Sequence, residues 1–166
     1  MKVIVINGKP TAGKSTFIEL CRELRTVHED TVELSMVDYV KDVAKAIGWN
    51  GVKDEKGRKF LADLKNAIEN YNKNIIYEAI DTDIFLFKSW GEPIFFINAR
   101  NPIDIRYLVK KYNAISLFID NPNVPMVESN SEDKGVENYR YDVTIENDGS
   151  LDELKEKAEK FLESLK

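Results

Sequence analysis

Val3-Ile4-Val5-Ile6-Asn7-Gly8-Lys9-Pro10-Thr11-Ala12-Gly13-Lys14-Ser15-Thr16 is the stretch on which the reading of the fold turns. Its first four residues are β-branched with no polar alternation, as expected of a strand buried on both faces, and Asn7-Gly8 ends the run. From Lys14 the apolar residues Phe17, Ile18, Cys21 and Leu24 recur at helical spacing, which predicts a helix fading near Thr26. Gly8 to Ser15 therefore links a central parallel strand to a helix, and it fits the P-loop pattern of a glycine, four residues, then Gly-Lys-Ser. Each residue type has a physical task. Gly8 and Gly13 permit a backbone course that a Cβ would block, so that the N–H groups of Lys9, Thr11 and Ala12 and of the helix start can face phosphate oxygens, while Pro10 of the same loop has no N–H to give. The helix start adds the positive end of its dipole. Lys14 is placed to bridge β- and γ-phosphates, the Ser15 hydroxyl to ligate Mg²⁺, and Thr16 to assist at the α-phosphate. ATP and Mg²⁺ are the expected ligands.

Outward from the loop, strands and helices alternate. Strands are predicted at Thr31 to Met36, Pro93 to Ile97, Ala114 to Ile119 and Tyr141 to Ile145. Helices are predicted at Asp38 to Gly48, with Val40, Val43, Ala44 and Ile47 on one stripe, and at Arg58 to Tyr71, with Leu61, Leu64, Ala67, Ile68 and Tyr71. Further helices follow at Pro102 to Tyr112 and at Leu151 to Leu165, the last begun by Ser150 as N-cap. Asn74 to Trp90 is less regular; helix is preferred there, with Ile84 to Phe87 as the competing strand. The expected fold class is α/β, a three-layer sandwich around a parallel sheet of about five strands. It forms one domain over residues 1–166, with a helical insertion at about 38–90 and a segment at 121–138 long enough to be a lid.

Composition narrows the partners. A net charge of -5 argues against a broad footprint on a nucleic acid polymer, and no apolar run approaches a membrane span, so the expectation is a cytoplasmic protein, monomer or homodimer. The single cysteine, Cys21, reads as packing, and the single histidine, His28, as a surface residue.

The loop does not name a reaction, since kinases, motor ATPases, GTPases and sulfotransferases share it. With the loop at residue 8 of 166, little chain remains for the extra strands of motor ATPases. Phe118-Ile119-Asp120-Asn121-Pro122 does not supply the base-reading motif of GTPases. Ile97-Asn98-Ala99-Arg100-Asn101-Pro102 with the following helix, Tyr141 to Leu151, and the Asp38 to Tyr71 region occur in the order of the nucleoside monophosphate kinase group. The chain resembles that group, and in particular the phage-type deoxynucleoside monophosphate kinases and animal-type phosphomevalonate kinases. The resemblance implies a small phosphate-bearing acceptor bound in the insertion.

Ligands of open α/β sheets sit beyond the carboxyl ends of the strands, which here means the loop, Ser35 to Asp38, Asn98 to Arg100 and the surroundings of Asp120. Arg100 is the candidate phosphate clamp, because a guanidinium fork matches phosphate oxygens; a structural ion pair is its alternative. Asp38 is a candidate for water-mediated contact with Mg²⁺ or for the acceptor, with a helix N-cap as the rival role. Arg58 and Lys59 read either as an acceptor-phosphate pair or as a solvated helix start, and Arg106 as a second pocket cation or a surface partner. Trp49 and Tyr71 read as packing residues. Two features depart from the resembled kinases. Asn98-Ala99 stands where an Asp would hold the magnesium shell. The 121–138 segment carries Lys134 as its one cation against Glu128, Glu132, Asp133 and Glu137.

Overall fold

The computed structural model describes residues 1–25, 30–72, 74–89, 91–124 and 139–166. His28 and residues 125–138 of the expected lid lie outside them. Five strands form one sheet, β1 (Lys2–Gly8), β2 (Thr31–Ser35), β3 (Ile94–Asn98), β4 (Ile115–Asp120) and β5 (Val143–Glu146), in the order β2-β3-β1-β4-β5. β1 pairs in parallel with β3 and β4, and β4 with β5, so the strand before the glycine loop is the central one. Among the described residues six helices complete the set: α1 (Lys14–Glu23), α2 (Asp38–Ala46), α3 (Glu55–Tyr71), α4 (Ile75–Lys88), α5 (Pro102–Tyr112) and α6 (Leu151–Ser164). The α/β reading holds, and Ile84 to Phe87 lies within the helix α4 rather than in a strand.

Strand alternation builds the two faces. Ile4, Ile6, Ile94, Phe96, Leu117, Ile119 and Ile145 meet Phe17, Ile18 and Cys21 of α1 and Leu154, Ala158 and Phe161 of α6 in one buried cluster. Phe17 stands edge-on to Phe96 at 6.5 Å and to Phe161 at 5.7 Å between ring centroids, tying both helices to the sheet. Burial raises the Cys21 thiol to about 12, which makes it the inert packing residue that its helical position predicted. The opposite side chains, Val3, Val5, Phe95 and Ile97, are equally buried, and α5 lies against β1 and β4 with Ile105 and Leu108 fully enclosed. At the outer edge Ser116 and Asp142 exchange bonds: the Ser116 N–H and Oγ donate to Asp142 Oδ2 at 2.8 and 2.7 Å, and the Asp142 N–H donates to Ser116 Oγ at 2.9 Å. α6 opens with a capping box, Ser150 accepting from the Glu153 N–H and Glu153 reaching back to the Ser150 N–H.

Contacts group the chain into two compact units, residues 1–33 with 87–166, and residues 34–86. The second unit holds most of the corrections to the sequence reading. α3 begins at Glu55 rather than Arg58, because Asp54 caps it by accepting from the Gly57 N–H at 2.7 Å; the glycine had masked the start. Ala67 is exposed and Tyr71 is 91% exposed, so Tyr71 packs against nothing extensive, while Lys65 is buried on the same helix. Ile47 is likewise exposed past the end of α2, where Gly48 takes φ 101°. α1 stops at Glu23, before Thr26.

Candidate functional site

β1 carries the glycine loop at its carboxyl end, and the loop is walled by the ends of β4 and β5. A Cβ on Gly8 would stand 2.4 Å from the Ile119 carbonyl oxygen, and one on Gly13, at φ 97°, would stand 2.3 Å from Asn147 Nδ2. Both glycines thus allow close approach, the loop being pressed against neighbouring strands. Thr11 takes φ 64°, and the Ala12 N–H closes back on the Lys9 carbonyl at 3.2 Å. Gly13 begins α1 with no side-chain cap on the first-turn amides, so this helix end offers N–H groups and a positive dipole end to an anion. The uncapped first-turn amides suit an anion.

Lys14 lies half-buried in the loop's curve, its Nζ donating to the Gly8 and Lys9 carbonyls at 2.7 and 2.8 Å. Ser15 and Thr16 are exposed at the helix start. Lys9 Nζ lies 3.8 Å from Asp120 at the end of β4, a half-exposed pair of modest strength. Asn7 is 1% exposed and accepts from the Gly8 N–H at 2.7 Å, while its Nδ2 reaches the Arg100 carbonyl at 3.4 Å. Asn7 so joins the first residue of the loop to the turn after β3. Burial raises the Tyr141 phenol, and a hydrogen bond with Asn7 pulls the other way; the ring lies 4.9 Å from Phe118. Asn147 follows β5, donates from Nδ2 to the Ala12 carbonyl at 2.9 Å, and from its backbone N–H to the Asp120 carbonyl at 2.6 Å.

Arg100 is exposed just past β3, and Arg106 is exposed on α5. Between them, Asn101 caps α5 by accepting from the Ile103 N–H at 2.8 Å. Asn98 ends β3 in the place of the missing acid, and its Nδ2 donates to Glu33 Oε1 at 2.8 Å, so a carboxylate from β2 stands beside it. Sequence reasoning overlooked Glu33, Asn7 and Asn147. For Asn7 the signal was a polar residue completing a buried strand; for Asn147, its place beyond the carboxyl end of β5.

The remaining candidates lie in residues 34–86. Asp38 is the first residue of α2 rather than its N-cap, which is Val37, and it accepts from Lys41 Nζ at 2.7 Å. Burial and the charges of Asp38 and Asp42 raise Asp83 above the ordinary carboxylate range. Arg58 Nε donates to the Lys53 carbonyl at 3.0 Å, and Lys59 pairs with Asp63 at 2.8 Å with both side chains well exposed. Trp49 donates from Nε1 to the Val52 carbonyl at 3.2 Å. Among the described residues no cluster of three His, Cys, Asp or Glu side chains forms a metal site, and no helix is long and apolar enough to cross a membrane.

No family model and no curated protein matches the sequence. Solved structures do resemble it. The APS kinase CysC of Mycobacterium tuberculosis, as a cysteine-to-alanine mutant, is 15% identical with a TM-score of 0.46, over 98% of this chain and 96% of that one. The same kinase in complex with AMPPNP and APS gives 15% and 0.47, over 98% and 97%. Shikimate kinase of Bacteroides thetaiotaomicron gives 9% and 0.44, over 98% of each chain.

Proposed function

We propose that the chain is an ATP- and Mg²⁺-dependent phosphotransferase whose acceptor is a small phosphorylated molecule, a (deoxy)nucleoside monophosphate. The observation that carries this reading is the glycine loop itself: an uncapped helix start, two glycines pressed against strand ends, and the Lys14 ammonium held within the curve. Lys14 would leave its two carbonyls for phosphate oxygens, exchanging neutral acceptors for charged ones that bind an ammonium more strongly. Ser15 would hold Mg²⁺, which supplies charge neutralisation between the phosphates when bound. Arg100 would clamp the transferring or acceptor phosphate, with Arg106 as a second cation. In the second unit Asp38, Arg58 and Lys59 are the acceptor candidates. An acceptor phosphate is already nucleophilic, so positioning and charge stabilisation supply most of the rate and no strong general base is required.

One observation favours a second reading, a protein that holds ATP with little turnover: β3 ends in Asn98, whose amide donates a hydrogen bond to the Glu33 carboxylate, where the resembled kinases carry an acid. A coupled ADP-release screen decides between them, run with every ribo- and deoxynucleoside monophosphate, phosphomevalonate and dephospho-coenzyme A. Fast ADP release with one acceptor class and none without it is the kinase result. ATP binding with silence across the panel is the regulator's result. Absence of ATP binding would sink both.

A further inference from the structure

We propose that Asn147 is a positioning residue for phosphate binding, holding the Ala12–Gly13 peptide so that the Gly13 N–H faces into the loop and the Ala12 carbonyl faces out. This rests on the loop being a nucleotide-phosphate site. The Asn147 amide meets the Ala12 oxygen at 2.9 Å across 135 residues of sequence. No peptide bond among the described residues is cis, and in a trans peptide the C=O and N–H point in opposite directions. Fixing the carbonyl toward β5 therefore fixes the Gly13 N–H away from it, at the head of the first-turn amides of α1.

The clamp is itself anchored. The Asn147 N–H donates to the Asp120 carbonyl at 2.6 Å, and the preceding Glu146 is in register with Asp120, so the side chain hangs from the sheet and not from a loop. The arrangement is needed because of Gly13. A glycine crosses between backbone wells readily, so the Ala12–Gly13 peptide can flip, and a flipped peptide would turn a carbonyl's partial negative charge toward phosphate. Gly13 in turn leaves the room Asn147 uses, since a Cβ there would overlap Nδ2.

The test is calorimetric binding of ATP and of inorganic pyrophosphate to the full chain, with melting temperatures taken in parallel. Asn147→Ala should weaken both ligands by a similar factor, roughly fivefold to tenfold for one lost hydrogen bond that orients a charged contact. Asn147→Asp keeps the shape, removes the donor and sets a carboxylate against the carbonyl; it should weaken both ligands further, and it keeps the test open if the alanine variant unfolds. Ser116→Ala, which loosens the same pair of strands away from the loop, should lower the melting temperature and leave both affinities unchanged. Unchanged affinities in both Asn147 variants overturn the proposal. So does a loss confined to ATP, which would mean that Asn147 meets the base or sugar. Wild-type protein that binds neither ligand would overturn the phosphate-site reading itself, an outcome visible before any substitution is made.

Discussion

Replacing Gly8 by alanine tests whether the glycine loop is shaped by the sheet beneath it. The new Cβ would sit 2.4 Å from the Ile119 carbonyl oxygen, a full ångström inside ordinary contact at 3.4 to 4 Å. That oxygen has little freedom to retreat, because Ile119 is in register with Gly8 on one side and with Ile145 on the other. The residue also sits at φ 153°, where side chains are rare. Overpacking of this kind with backbone strain costs about 2–4 kcal/mol, which lowers the melting temperature of a chain this size by about 5–15 °C. Gly48→Ala is the control. It shares a positive φ, 101°, with nothing within 4 Å of its Cβ, so it should lose only the strain of about 1 kcal/mol, or about 2–4 °C. Differential scanning calorimetry measures both. Gly8→Ala melting no lower than Gly48→Ala would refute the argument that the Ile119 carbonyl forms the loop's floor.

Lys14→Ala should abolish turnover while keeping the circular dichroism of the wild type, since the side chain bonds to loop carbonyls and not to the core; retained ATP affinity and turnover would remove it from the site. Arg100→Lys should lose at least about tenfold in kcat, because a point charge cannot reproduce a bidentate fork, and unchanged kinetics would assign Arg100 a surface role. Asn98→Asp alone should not improve Mg²⁺-dependent turnover, because it sets two carboxylates at the 2.8 Å now bridged by an amide; Asn98→Asp with Glu33→Gln should improve it, and equal rates in the two variants would discount the pair. The capping-box bonds from Ser150 hold Glu153 below the ordinary glutamate range. A lowered carboxylate stabilises the fold above its unfolded pKa, and that stability fades as pH falls through the folded value. Glu153→Gln should therefore flatten the acid side of a melting-temperature profile, and an unchanged slope would show that the cap carries no such charge dependence.

The central strands were legible because burial on both faces leaves a run such as Val3 to Ile6 with no polar interruption, and α6 was legible because Ser150 stands as an N-cap before an amphipathic run. α3 was misread at its start for an equally physical reason. Asp54 caps an end that contains Gly57, a residue that sequence reading takes for a break, and Lys65 is buried where a stripe of apolar residues was expected. The loop's place between β1 and α1 could be read because its pattern is local in sequence. Asn7 bonds to a turn 93 residues away and Asn147 to one 135 residues away, and no periodicity announces such pairs before the strand order is known. Glu33 was hidden for the same reason: only the adjacency of β2 and β3 sets its carboxylate beside Asn98.

The sheet order also governs when the loop can come into being. β1 takes both of its neighbours from residues 94–120, and the brace on Ala12 comes from residue 147. A nascent chain extended only to residue 90 carries the whole glycine motif but neither wall of it, and the apolar edges of β1 wait unpaired until more than half of the chain has left the ribosome. Such high contact order makes folding slow and leaves an early strand open to wrong partners. A nucleotide bound as proposed would guide the end of folding but not its beginning, since the amides that would grip it are aligned only after the last strand docks.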